Sequence, residues 1–200
     1  MAEPSVKGNM LLGSVVMTRR LRDANQLPAE IFEKVLSAET LELLDERISI
    51  ANWYPMWQCN ELQTLFWEHV AKRDPNVARQ SGAESFKSMQ KTGRYQQFEY
   101  AERAESAESK RDVLRQTRMI TSILSGYYNF LEVEVGLHPE TENLQIIYDN
   151  ATLFIEPLRY STEGFMTGVS RVRKGTTSWT SERVTPDRIV YTLPNANKSN

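Results

Sequence analysis

The sequence predicts a single α+β domain over residues 1–193, in which N-terminal helices pack against a C-terminal antiparallel sheet. Up to about residue 127, apolar residues recur three or four positions apart, which is the spacing of helices. From Tyr128 onwards, short segments alternate between apolar and polar residues, as strands with one solvated face do. Helices that come first and strands that follow them are typical of α+β folds. Residues 194–200 are predicted to form a disordered tail.

The first half of the chain carries several helix starts. The apolar stretch 10–17 is followed by Arg19, Arg20 and Arg22, which predicts a buried first helix whose basic end complements the helix dipole. The later helices begin at residues that cap a helix or suit its first turn. In chain order, these residues are Pro28, Ser37 or Thr40, Pro55, and the pair Asp74-Pro75.

A polar, charge-rich stretch from Arg94 to Arg111 interrupts the helices and is predicted as a loop or a frayed helix. An amphipathic helix follows this stretch and runs to Tyr127, with one apolar face and one basic face. Gly82 lies inside the helix that precedes the stretch. That helix therefore either bends at Gly82 or packs very close to a neighbour there.

The C-terminal part predicts four strands and one helix. Two alternating segments pair with each other, a helix follows them, and a hairpin closes the chain. The spacing of Gly164 and Gly168 permits close approach of that helix to a sheet or to a second copy of the chain. The predicted segments are 131–135 and 144–148 for the strand pair, 157–174 for the helix, and 176–184 and 188–193 for the hairpin.

The composition is that of a globular protein in a reducing compartment. Lys and Arg number 24 against 26 Asp and Glu, so no strong field draws the chain to nucleic acid or to an anionic membrane. One cysteine and two histidines leave no internal disulfide and little material for a metal site. The apolar stretch 10–17 has acidic Glu3 before it and arginines after it, the reverse of a signal peptide. We therefore expect a cytoplasmic protein.

Motifs of catalysis are missing from the sequence. It contains no glycine-rich phosphate loop, no H-E-x-x-H segment, no nucleophile elbow and no paired cysteines. Its carboxylates fall mostly on polar helix faces, so no acid and base pair stands out. We therefore expect a protein that is not an enzyme and that needs no metal and no cofactor.

Four short motifs carry a resemblance over roughly residues 7–193. They are Lys7-Gly8, Trp53-Tyr54-Pro55 with Asn60-Glu61-Leu62, Ser125-Gly126-Tyr127-Tyr128, and Glu163-Gly164-Phe165. With these motifs in this order along the chain, the sequence resembles an uncharacterised family of bacterial domains. That family belongs to the ligand-binding superfamily of haem nitric-oxide sensors, 4-vinyl-reductase domains and TRAPP vesicle-tethering subunits. The resemblance implies an α+β sensor or adaptor fold that binds a small molecule or another protein.

The chain departs from these relatives where they hold haem or zinc. The resemblance would place a haem-ligating histidine within residues 101–128, and this stretch contains none. A tyrosine-x-serine-x-arginine haem clamp is also missing, since Tyr160 is followed by Ser161, Thr162 and Glu163. Residues 179–193 lack the cysteine pair of the zinc-binding relatives. The sequence therefore predicts neither haem nor structural zinc.

Aromatic residues are the candidates for a ligand pocket. Large aromatic side chains wall apolar pockets, and their polar tips orient a ligand. The alternative is that these residues only pack the core or hold a helix entry in place. The candidates are Trp53, Tyr54, Trp57, Tyr127 and Tyr128.

Cys59 lies on the predicted apolar face of its helix. By resemblance to TRAPP subunits it would hold an acyl chain in an internal tunnel, whereas a buried free cysteine is ordinarily inert. His69 lies ten residues further along, about 15 Å away on a helix, too far for a Cys–His pair. We predict a packed histidine at position 69 and an exposed turn histidine at position 138.

A basic stripe is the candidate surface for a protein partner. Arg111, Arg115 and Arg118 recur at helical spacing and would dock an acidic protein or an anionic ligand. The alternative is a solvated face that pairs with the acidic residues Glu102, Glu105 and Glu108.

Two functional hypotheses follow from these features. The leading one is a non-catalytic bacterial regulatory or signalling module that acts by docking to a protein partner, with an apolar small-molecule pocket as an additional feature. The alternative is a sensor or carrier of a lipid-like or aromatic small molecule. No nucleic-acid partner and no membrane span are expected, and a homodimer stays open.

Overall fold

The computed structural model describes residues 2–91, 114, 117–118, 121–122, 125–171 and 178–194. Six α-helices have defined bounds within these residues: α1 Gly8–Asp23, α2 Ala29–Val35, α3 Ala38–Leu43, α4 Met56–Leu65, α5 Pro75–Lys91 and α6 Glu156–Arg171. The described residues 114, 117–118, 121–122 and 125 are helical as well. The strands are β1 Ser5–Lys7, β2 Trp53–Pro55, β3 Glu132–Leu137, β4 Leu144–Asp149, β5 Thr180–Thr185 and β6 Arg188–Leu193. This arrangement confirms the predicted α+β class. None of the described helices is long and apolar enough to cross a membrane.

The strands form two antiparallel sheets. The larger sheet has the order β3-β4-β6-β5, so the two predicted strand pairs meet along β4 and β6. Ile146 of β4 lies opposite Tyr191 of β6, and both are buried. Alternate residues of β4 point to the core and to the other face, as the alternating pattern predicts. The smaller sheet pairs β1 with β2 and was not predicted, because strands of three residues show too little alternation.

β1 joins parts of the chain that are far apart in sequence. Besides its pairing with β2, it is bound by the segment that leads into β3. The Lys7 amide donates to the Tyr127 carbonyl at 2.8 Å, and the Asn129 amide donates to the Ser5 carbonyl at 3.2 Å. The Ser5 amide donates to Asn129 Oδ1 at 2.6 Å. Val6, in the centre of the strand, is fully buried. β1 therefore ties the start of α1 to the sheet.

Two of the predicted helix starts have a side-chain cap. The Ser37 hydroxyl accepts the Thr40 amide at 3.2 Å, so Ser37 rather than Thr40 is the cap of α3. Asp74 Oδ1 accepts the Asn76 amide at 2.8 Å just ahead of Pro75, the first residue of α5. Such caps satisfy backbone amides that the first helical turn leaves without a partner.

The helix that begins at Met56 ends in a wider turn. α4 continues into a π-helical segment, Phe66–Val70, in which the Ala71 amide donates to the Phe66 carbonyl five residues earlier at 2.8 Å. Lys72 and Arg73 then adopt positive φ angles of 52° and 61°. These two residues reverse the chain between the π-helical turn and α5.

The helices α5 and α6 cross with their backbones in contact. A Cβ atom on Gly82 would lie 1.8 Å from the Ser161 carbonyl oxygen, and one on Gly164 would lie 1.8 Å from the Arg79 carbonyl oxygen. No side chain fits in either place. The close approach predicted at Gly82 and Gly164 is therefore present, but its partner is a helix of the same chain rather than a sheet or a second copy.

This crossing generates a stability prediction. Gly82→Ala and Gly164→Ala each put a methyl group into a backbone contact, so each should lower the free energy of unfolding by at least about 3 kcal/mol. Gly13→Ala is the control, because Gly13 is exposed in α1 with open space around its Cβ position. It should stabilise the protein by roughly 0.5–1 kcal/mol through helix propensity. Urea unfolding measures all three, and equal effects would contradict the contact.

Candidate functional site

The interior of the domain lies between α4 and the larger sheet. α4 turns one face inward because Met56, Cys59, Leu62 and Leu65 recur at helical spacing, and each is 2% exposed or less. The Asn60 side-chain amide donates to the Leu153 carbonyl at 3.0 Å. This hydrogen bond fixes α4 against the segment that follows β4.

Aromatic rings pack against one another in this interior. Tyr128 and Phe154 make an edge contact with ring centroids 5.4 Å apart, and Phe154 and Tyr148 make another at 5.4 Å. Tyr148 then meets Tyr191 at 5.0 Å. All four rings are buried. Edge-to-face contacts of this kind are favourable beyond the area they bury, so the four rings form a continuous series of contacts within the interior.

Neutral polar groups lie within this apolar interior. Burial raises the pKa of the Cys59 thiol to about 12. Burial also raises the pKa of the Tyr128 hydroxyl well above 10, and the neighbouring Cys59 and Tyr148 raise it further. Cys59, Tyr128 and Tyr148 therefore keep their protons at neutral pH. We call these three residues the interior cluster.

The six predicted pocket residues divide between the interior and the surface. Cys59, Tyr127 and Tyr128 are buried, whereas Trp53 is 45% exposed and Trp57 is 40% exposed. Tyr54 is half-buried. Successive residues of a strand point to opposite faces, so Trp53 and Tyr54 of β2 separate.

The surface and half-buried aromatics have local partners. The Lys7 ammonium lies 4.4 Å from the centroid of the Trp53 ring, a cation–π contact at the surface. The Tyr54 hydroxyl accepts the Ser49 amide at 2.9 Å. The expected convergence of all the aromatics on one cavity is therefore not what the structure shows.

The basic stripe is described only at Arg118, since Arg111 and Arg115 lie outside the described residues. Arg118 is exposed, and its guanidinium donates to the Val135 carbonyl of β3 at 3.5 Å. Thr117 and Thr121 on the same helix are buried. The helix is thus amphipathic at these positions, as the sequence predicts.

A buried carboxylate that the sequence analysis missed lies where α5 crosses α6. Glu163 is 1% exposed, and Arg79 Nε donates to one of its carboxylate oxygens at 2.5 Å. The Ser181 hydroxyl of β5 donates to the other oxygen. Arg159 Nη1 lies 3.8 Å from that second oxygen. The sequence offers one indication of this buried carboxylate, the Gly164 that follows Glu163. A glycine there lets α5, which carries Arg79, approach α6 closely.

The ionic network extends from Glu163 to the start of α6. Glu156 accepts Arg159 Nε at 2.8 Å and Arg183 Nε at 2.9 Å. Arg183 Nη1 also donates to the Pro186 carbonyl at 2.9 Å. The Tyr160 ring lies 4.1 Å from the Arg159 guanidinium. Each of these arginines is bound to this chain's own acceptors, so the network holds α5, α6 and β5 together.

The two histidines lie away from the interior cluster. His69 belongs to the π-helical turn and is half-buried. His138 follows β3, and its Nδ1 accepts the amides of Glu140 at 3.2 Å and Thr141 at 3.3 Å. Within the described ranges, no three residues of the types His, Cys, Asp and Glu come together to hold a metal ion.

The buried thiol makes a labelling prediction. At pH 8, Cys59 of the folded protein should react with DTNB only as fast as the protein unfolds, because the thiol is buried and protonated. The matched control is the double variant Cys59→Ala/Trp57→Cys, which carries an exposed thiol on the same helix and should react at once. Stopped-flow absorbance measures both rates. Equal rates in the two proteins would contradict a buried Cys59.

The ionic network makes a prediction about acid stability. Burial raises the pKa of Glu156, but hydrogen bonds from Arg159 and Arg183 outweigh this and hold it below the ordinary 4.5. The ionised Glu156 therefore stabilises the folded protein above about pH 4.5. This contribution is lost as the pH falls through the lower pKa that Glu156 has in the folded state.

Glu156→Gln should accordingly cost about 1 kcal/mol at pH 7 and progressively less below pH 4.5. Glu182→Gln is the control, since Glu182 is an exposed carboxylate on the adjacent strand and should change little. Urea unfolding between pH 3 and pH 7 measures both variants. A Glu156→Gln deficit that stays constant with pH would refute the assignment.

Comparison with known proteins finds similarity in structure but not in sequence. No protein-family model matches the chain, and no curated protein matches it. Solved structures with a similar fold are H-NOX domains. The Fe(II) unliganded H-NOX protein from K. algicida has a TM-score of 0.58 and 11% identity, over 97% of this chain and 99% of its own.

Two further H-NOX structures agree with this result. A Cs H-NOX mutant that carries 4-cyano-L-phenylalanine has a TM-score of 0.56 and 12% identity, over 94% of this chain and 97% of its own. A mutant H-NOX from T. Tengcongensis has a TM-score of 0.51 and 13% identity, over 94% of this chain and 98% of its own. At these identities the likeness shows the fold alone: the chain has the α+β architecture of H-NOX domains along nearly its whole length.

Proposed function

We propose that this domain is a non-catalytic sensor that binds a small apolar molecule in its interior. The observation that carries the proposal is the similarity to H-NOX domains over 94–97% of the chain. Such a match includes both the helical part and the sheet, and not merely one common motif. It supports the small-molecule hypothesis over the docking hypothesis, for which the described part of the chain offers only Arg118.

The interior cluster supplies the chemistry that this proposal needs. Ligand pockets are mostly apolar, with a few polar groups that fix the orientation of the ligand. Cys59, Tyr128 and Tyr148 are such groups, since they lie among aromatic and aliphatic side chains and stay neutral at pH 7. Neutral hydroxyl and thiol groups suit an uncharged ligand, because an ion would lose its hydration without gaining a counter-charge.

Native mass spectrometry of freshly purified protein tests the proposal. We expect a mass above that of the chain, and an excess lost on denaturation identifies a non-covalent ligand. An excess that persists identifies an adduct, which Cys59→Ser should abolish if Cys59 carries it. Thermal unfolding with a panel of apolar small molecules extends the test. A ligand at a hundred times its dissociation constant should raise the melting temperature by about 5–10 °C.

Matched variants locate the site. Tyr128→Phe removes one hydroxyl from the interior cluster and should reduce the retained mass or the thermal shift. Trp57→Phe changes an exposed ring on α4 and should leave both unchanged. A bare native mass together with no thermal shift across the panel would contradict the sensor proposal. Equal losses in the two variants would contradict an interior site.

A further inference from the structure

The solved structures that share this fold are associated with iron and haem. One is an Fe(II) protein, and others concern the haem redox potential under porphyrin distortion and haem distortion in the H-NOX family. Haem iron in proteins is held by a histidine, a cysteine thiolate, a tyrosine or a methionine paired with histidine. Both histidines and the cysteine lie among the described residues, whereas Tyr95, Tyr100 and Met119 lie outside them.

Histidine is not available in the interior. The chain has two histidines, and both are described. His138 lies in the turn between β3 and β4, where its Nδ1 already accepts two backbone amides. His69 lies in the π-helical turn beyond the end of α4, whereas the interior cluster lies under α4 itself. The segments outside the described residues contain no histidine and no cysteine.

The other described donors of the interior, which include Tyr191 as well as Cys59, Tyr128, Tyr148 and Met56, are buried and packed against neighbouring side chains. A cysteine ligates iron as the thiolate, and Cys59 is 2% exposed in an apolar interior that favours the neutral thiol. The Tyr128 and Tyr148 rings pack edge-to-face against Phe154, and burial raises the pKa of both hydroxyls. Met56 is fully buried on α4, but a thioether holds haem as the second ligand to a histidine.

From these donors we infer that the domain is a haem-independent version of this fold, whose ligand is organic and metal-free. The inference deepens the proposed function and rests on it, because it narrows the class of small molecule. The described residues do not fit haem: the histidines lie outside the interior, and the interior offers neutral hydroxyl and thiol groups instead. These groups hydrogen-bond to an organic molecule and give no anionic or imidazole ligand to iron.

Hemin titration of the purified protein tests the inference. The absorbance in the Soret region should rise linearly with added hemin and show no break at one equivalent, as for non-specific adsorption. Three variants accompany the wild type: Cys59→Ser, His138→Ala, and the double variant His69→Ala/His138→Ala, which contains no histidine. All four proteins should give the same featureless titration, and circular dichroism confirms that each is folded.

A saturable one-to-one Soret band in the wild type would overturn the inference. Its loss in the double variant would identify histidine as the ligand, and its loss in Cys59→Ser would identify the thiolate. Different results would refute the sensor proposal and the inference of haem independence. Haem retained in native mass spectrometry would leave a small-molecule sensor and refute haem independence. A protein that binds neither hemin nor any apolar molecule would refute the sensor instead.

Discussion

The backbone contact between α5 and α6 is the constraint on which much of the architecture depends. Gly82 and Gly164 carry no side chain at the crossing, so the helices approach until backbone meets backbone. This distance lets Arg79 of α5 reach the buried Glu163 of α6. A buried carboxylate left alone is costly, so its position requires both Arg79 and the Ser181 hydroxyl. Through Ser181 the same contact fixes β5, and with β5 the edge of the larger sheet.

Local patterns predicted most of the secondary structure. Asp74-Pro75 starts a helix because both residues act on the first turn itself, and the alternation in β4 reports directly which face is buried. The β1–β2 sheet escaped prediction because its partners are set by position in space and not by pattern. The ionic network escaped for the same reason, since Arg79 and Glu163 are 84 residues apart. Hydrophobic periodicity indicates which face of a helix or strand is buried, but it does not indicate which element packs against that face.

In the candidate site, too, local patterns predicted some features and tertiary pairing determined the others. Spacing alone predicts that Cys59 lies on the inward face of its helix, and it is 2% exposed. Trp53 and Trp57 were grouped with the pocket because they are large and apolar, yet both lie at the surface. Size and hydrophobicity did not determine burial there. The pairing of β2 with β1 fixes the outward direction of Trp53, and Trp57 lies on the exposed face of α4. Tyr128 is buried because it bridges Val6 of that same strand β1.

The position of β1 has a consequence for how the chain is made. Ser5 leaves the ribosome 124 residues before its partner Asn129. During synthesis Val6 must therefore stay without part of its cover until the end of the helical half has emerged. Proteins rich in contacts of such long sequence separation fold more slowly than proteins with mainly local contacts. The contacts of β1 with Tyr127 and Asn129 are therefore completed only after the helical part of the domain has been synthesised.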